Sequence, residues 1–126
     1  MPRVTAFNLR SGDDLDALGA AITTALTSLP EVTIDPAAVD LVPMLAPAGY
    51  EATVARIDVD LFERPTGTKE RLQELGERIA AAFQDVVGAH RCALARASEV
   101  GFGRFIVSAT TPFTRADLPQ LRDDAA

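Results

Sequence analysis

Tryptophan is absent, and cysteine, histidine and tyrosine occur once each, as Cys92, His90 and Tyr50. One cysteine excludes an internal disulfide, and one cysteine with one histidine cannot assemble a zinc or iron–sulfur ligand set within a single chain. A metal held by carboxylates stays open, though nothing points to one, and no cofactor is expected. No apolar run approaches the roughly 20 residues that a membrane-spanning helix needs. The first residues lack the basic stretch, apolar stretch and small-residue cleavage site of a secretory signal, so a reducing cytoplasm is the expected location. Basic residues are also in short supply: 12 Lys and Arg against 18 Asp and Glu give a net charge of −6, which repels nucleic-acid phosphates. Neither nucleic acid nor membrane is an expected partner.

What is present describes a folded domain. Of 126 residues, 48% are hydrophobic and 24% charged, enough for one core without covalent staples, so residues 1–126 are expected to form a single domain. RVTAFNL (3–9) alternates and carries Val, Thr and Phe, as a strand does, which puts Arg3, Thr5, Phe7 and Leu9 on one face. From about residue 13 to 29 the period changes to three and four, giving one apolar stripe with Ser11 as N-cap and Pro30 as stop. VDLVPML (39–45) reads as a second strand on an edge or at a bulge because of Pro43, and APAGYEA (46–52) as a connector. ARIDVDLF (55–62) is a third strand whose polar alternate residues face solvent or a subunit neighbour. A second amphipathic helix spans about 68–87 with Gly88 suited to its end, and RCALARASE (91–99) is a fourth strand. GFGRFIVSA reads as a short strand or hairpin before a polar tail.

The two helices repeat each other. Leu15, Leu18, Gly19, Ile22, Ala25 and Leu26 match Leu72, Leu75, Gly76, Ile79, Ala82 and Phe83 at a constant offset of 57. A mid-helix glycine costs about 1 kcal/mol, so its recurrence at one place predicts close helix–sheet packing there. The chain thus reads as two β-α-β repeats, about 1–52 and 53–126. Right-handed crossovers place both helices on one face of a four-stranded sheet, an α+β fold with internal pseudo-twofold symmetry.

A proline directly after the start methionine, a strand, Arg10 and Ser11, an amphipathic helix and a second strand, repeated within one chain, resemble the double-length members of the tautomerase superfamily. Those include relatives of malonate semialdehyde decarboxylase and cis-3-chloroacrylic acid dehalogenase, in which two 4-oxalocrotonate tautomerase units are fused. In letters the resemblance lies at Met1 and Pro2, Arg10 and Ser11, LFERPTGTKERL (61–72) and VGFGRF (100–105). It implies a homotrimer with pockets at subunit boundaries and a catalytic Pro2, whose amine is freed when Met1 is removed. A neutral secondary amine can move a proton along an enol, the reaction such members perform on 2-oxo acids. Arg64, then Arg10, are implied as carboxylate-binding residues, since guanidinium presents a planar fork. Decarboxylase- and dehalogenase-like members carry two arginines in this turn, whereas here Phe62 stands two residues before Arg64.

Each residue also has a plainer reading. Pro2 can simply begin a strand; Arg64 can pair with Glu63 or Glu70; Tyr50, placed to orient substrate or water, can be a half-buried anchor. Phe102 and Phe105 suit a subunit interface, His90 a helix C-terminus, and Glu99 is either a water-polarising group or an exposed inert carboxylate. The leading expectation is a tautomerase-type enzyme acting on a small carboxylate substrate. The alternatives are a non-catalytic homologue, a decarboxylase or dehalogenase-hydratase of the same superfamily, or a dimeric ferredoxin-like monooxygenase or binding domain, which shares the element order.

Overall fold

A computed structural model describes residues 2–29, 34–46, 54–62, 68–88, 92–101 and 104–111. Strand β1 (Arg3–Leu9) leads into helix α1 (Leu15–Leu26), and a 3-10 turn at Pro36–Ala38 leads into β2 (Asp40–Leu45). The second unit repeats the order as β3 (Val54–Phe62), α2 (Lys69–Val87) and β4 (Cys92–Gly101), and β5 (Arg104–Thr110) follows. The sheet order is β2-β1-β3-β4-β5. β1 pairs parallel with β2 and β3 parallel with β4, as β-α-β crossovers require, while the units meet through antiparallel β1 and β3. The fold is therefore the expected α+β repeat with one strand more than the four expected: from Arg104 onward the segment read as a short strand or hairpin forms β5, which pairs antiparallel with β4.

The core lies between the helices and one face of the sheet. Val4, Ala6, Ile57, Val59 and Leu61 from the central strands pack under Leu18, Ile22 and Leu26 of α1 and Leu75, Ile79 and Phe83 of α2, all essentially inaccessible. These helix positions are the repeated ones, so the offset of 57 records one packing solution used twice. The two glycines sit where it predicts close approach. A Cβ on Gly19 would lie 3.3 Å from Leu41 Cδ2, and one on Gly76 would lie 2.7 Å from Thr111 Cγ2.

Two local readings change. Asp14, not Ser11, caps α1: its carboxylate accepts from the Ala17 backbone N–H at 3.1 Å, after a turn in which the Arg10 N–H donates to Asp13 at 2.7 Å. Thr68 does the same for α2, accepting from Arg71 N–H at 3.2 Å. Replacing either cap with alanine should cost about 1 kcal/mol, read as a lower urea midpoint at unchanged slope. Leu9 also leaves the face of Arg3, Thr5 and Phe7. Asn8 adopts φ 63, a conformation asparagine tolerates better than most residues, and the β1–β2 register shifts between Ala6 and Leu9. The extra residue turns Leu9 into the core at 1% exposure.

The sheet face away from the helices is polar. Asp58 lies between Arg56 at 3.4 Å and Arg96 at 3.9 Å, and the Arg56 guanidinium rests 4.3 Å from the centre of the Phe7 ring. The edge strand β2 carries Pro43 exposed, as expected of a residue that cannot donate to a ladder.

Candidate active site

Pro2 is buried at the head of β1, and its carbonyl accepts from the Asp40 N–H of β2 at 2.9 Å. A strand's first residue can lack an N–H without breaking the ladder, so proline is accommodated there and its nitrogen stands at the strand's tip. Because β1 and β3 are antiparallel, this tip lies where β3 ends. Arg3 pairs with Asp60, and extending the register by one step sets Pro2 opposite Leu61. Leu61 in turn pairs with Glu99 on β4. Helix α2 begins at this end of the sheet and α1 finishes there, since each helix runs back along the strand before it.

Glu99 is the residue that sequence reasoning misjudged. It is 2% exposed, not an exposed carboxylate, and it is not without an interaction partner. The signal was available: Glu99 continues the alternation of Ala93, Ala95 and Ala97, each fully buried. A carboxylate at the fourth position of a buried series must be held by polar partners, because an unpaired charge there is prohibitively costly. Strand spacing of about 4.8 Å places Glu99 two strands, roughly 10 Å, from Pro2 along the same row.

Arg10 lies at the other end. It is half-buried just after β1, separated from Pro2 by the whole strand, about 25 Å. The two do not converge within one chain. Arg3 points to the polar sheet face, where its Nε donates to Asp40 at 3.4 Å. Tyr50, Arg64, His90 and Phe102 lie outside the described residues, as does the side chain of Phe105. Among the described residues no three His, Cys, Asp or Glu side chains cluster in a way that would hold a metal ion. None of the described helices is long and apolar enough to cross a membrane.

No family model matches the chain, and no curated protein matches it in sequence. Solved structures do match. A fused 4-OT in an asymmetric trimer superposes with TM-score 0.61 at 12% identity, covering 82% of this chain and 94% of the other. The chain has the tautomerase fold. A member of the cis-3-chloroacrylic acid dehalogenase family superposes with TM-score 0.54 at 18% identity, covering 83% of each chain. 5-Carboxymethyl-2-hydroxymuconate delta-isomerase gives TM-score 0.53 at 16% identity, over 69% of this chain and 71% of its own. The tautomerase fold thus joins chains described as isomerase and dehalogenase-family proteins, so the chemistry has to be argued from the residues at Pro2's end of the sheet.

Proposed function

We propose that the protein is a tautomerase-type enzyme in which Pro2, freed by removal of Met1, is the general base for proton transfer on a small 2-oxo acid or its enol. The observation that carries this reading is the buried position of Pro2 at the strand tip where β3 ends and the segment bearing Arg64 begins. A terminal amine ordinarily titrates at about 7.7–8.0. Burial disfavours the ammonium form, so the surroundings of Pro2 work toward a neutral amine near pH 7. That amine takes a proton from the enol oxygen or from carbon and returns it elsewhere along the conjugated system. Arg64 binds the substrate carboxylate and stabilises charge at the adjacent oxygen. Neither step calls on a metal or organic cofactor.

Arg10 reaches such a site only from a neighbouring subunit, which fits a trimer like that of the fused 4-OT structure. Light scattering on the purified protein should therefore give three chains per particle, and Arg10→Ala should raise KM more than it lowers kcat. Arg64→Ala should weaken binding further, by about 1.5–3 kcal/mol for a lost charge-assisted contact.

The deciding experiment is intact mass followed by ultraviolet assays on phenylenolpyruvate and 2-hydroxymuconate. Loss of Met1 with ketonisation of either enol is the expected result; retention of Met1 leaves Pro2 an amide and ends the proposal. Buried Glu99 favours a second reading, a hydratase in which its carboxylate orients a water. Consumption of an unsaturated acid with incorporation of solvent oxygen, abolished in Glu99→Gln, would select it.

A further inference from the structure

We infer that the polar face of the sheet carries a separate binding site, a pocket around Arg56 and Arg96 that takes a short-chain monocarboxylate. This site does not depend on the Pro2 reading. Arg56 and Asp58 on β3, Leu94 and Arg96 on β4 and Thr110 on β5 line one cavity of about 230 Å³. Strand register brings them together: Arg56 pairs with Leu94, Asp58 with Arg96, and Arg96 with Thr110. Arg56 also pairs with Phe7, five residues along β1 from Pro2, so the pocket lies roughly 17 Å from Pro2. It sits on the opposite face of the sheet as well, because Ile57, Val59 and Leu61, which alternate with Arg56 and Asp58, are buried under the helices.

The charges lining this pocket run against those of the whole chain. Two guanidiniums meet one carboxylate, a local excess of positive charge in a chain of net charge −6. Asp58 contacts both arginines through the same oxygen, Oδ2, at 3.4 and 3.9 Å, longer than the roughly 2.7–2.9 Å of a well-made charge-assisted bond. Its other oxygen, Oδ1, is buried without a hydrogen-bond partner among the described residues. Asp58 thus offsets the repulsion between the guanidiniums without saturating them, since each arginine carries five N–H donors. Arg96 has a further interaction besides Asp58, whereas Arg56 lies over the Phe7 ring, 4.3 Å from its centre. Stacking on an aromatic face fixes a guanidinium and leaves its edge N–H groups to an acceptor in its own plane, which is the geometry of a carboxylate. Thr110 brings a hydroxyl to the same cavity, and Leu94 an apolar wall that suits a short carbon chain rather than inorganic phosphate. The volume is below the roughly 300–1,000 Å³ of pockets that take drug-sized ligands, so the acid is a small one.

The test is an NMR titration of isotope-labelled protein with sodium butyrate, acetate, phosphate and chloride at constant ionic strength, read at the Arg56 and Arg96 Nε–H signals and the Leu94 and Thr110 amides. Butyrate should shift these signals saturably in the millimolar range, with acetate and phosphate binding several-fold more weakly. Arg56→Lys, which keeps the charge but loses the planar fork, should weaken butyrate about tenfold, and Arg96→Gln at least as much. Blocking the Pro2 nitrogen with an uncleaved extension should leave the affinity unchanged, which separates this site from the one at Pro2. Shifts that never saturate, or that chloride reproduces, mark a diffuse ion atmosphere and overturn the inference. So does tighter binding of phosphate than of butyrate, or an unchanged affinity in both variants. Shifts confined to residues at Pro2's end of the sheet would put the acid there instead, and smaller particles by light scattering in either variant would make the arginines subunit contacts; each overturns the inference too. Should a variant fail to fold, the wild-type order of butyrate over phosphate and chloride at these four signals decides.

Discussion

Blocking the Pro2 nitrogen with an N-terminal extension that is not cleaved is expected to lower kcat/KM by about 10²- to 10⁴-fold, the range for a positioned general base. The extension turns the amine into an amide, which has no basic lone pair at any accessible pH. The fold should be unaffected, because the sheet pairing starts at Arg3 and Pro2 is anchored through its carbonyl to Asp40. Equal urea midpoints for blocked and cleaved protein would separate lost chemistry from lost structure. The sign of the pH dependence follows from the same atom. On the proposed mechanism the neutral amine is the active form, so kcat/KM in the cleaved protein should fall tenfold per unit below the amine's pKa and be level above it. Pro2→Ala keeps an amine but loses the ring that holds it, and its loss should be the smaller of the two. An extended protein with full activity would remove Pro2 from the mechanism.

Gly76→Ala should be destabilising, by up to about 2 kcal/mol once the helix propensity that alanine restores is set against the overpacking. Its Cβ would come within 2.7 Å of Thr111 Cγ2, a distance real contacts do not reach. Thr111 cannot swing aside at small cost. Its N–H donates to the Ala95 carbonyl at 2.8 Å, and its hydroxyl accepts from the Ala95 N–H at 2.9 Å while donating to the same carbonyl at 3.0 Å. With Thr111 at 2% exposure, moving it trades overpacking strain of about 1–3 kcal/mol against unsatisfied buried groups of similar cost. Set against the roughly 1 kcal/mol of helix propensity that alanine restores, either leaves a net loss of up to about 2 kcal/mol. Gly19→Ala is the internal control. The obstructing atom there is the end of the Leu41 side chain at 3.3 Å, on half-buried edge strand β2, so the change should be nearly neutral. Urea unfolding of both variants tests the asymmetry, and Thr111→Ser, which removes the clashing methyl and keeps the hydroxyl, should restore much of the stability lost in Gly76→Ala.

The same pair of glycines shows what could be read from the chain. Their recurrence 57 residues apart predicted close packing at equivalent places, and the repeated apolar stripes predicted both helices to within a few residues. Local period carries such information because a helix or strand face is chosen by the spacing of its own side chains. Cap identity was less legible, since Ser11 and Asp14 are both competent acceptors and the choice depends on where the Arg10–Asp13 turn closes. Leu9 was misplaced because alternation assumes an unbroken strand, and one left-handed residue at Asn8 reverses it. The fifth strand was underestimated because the length of a hairpin is set by its partner, β4, rather than by its own residues.

At the candidate site the division falls in the same place. The resemblance to the tautomerase superfamily, carried by Met1 and Pro2, Arg10 and Ser11 and the LFERPTGTKERL stretch, singled out Pro2, Arg64 and Arg10. Which of them meet was decided by strand order. Antiparallel pairing of β1 with β3 brings Pro2 opposite Leu61, in the row of buried Glu99, and the length of β1 carries Arg10 away to the opposite end. Hydrogen bonding between strands some fifty residues apart leaves no local period in the sequence, so only the assembled sheet determines which residues stand beside Pro2.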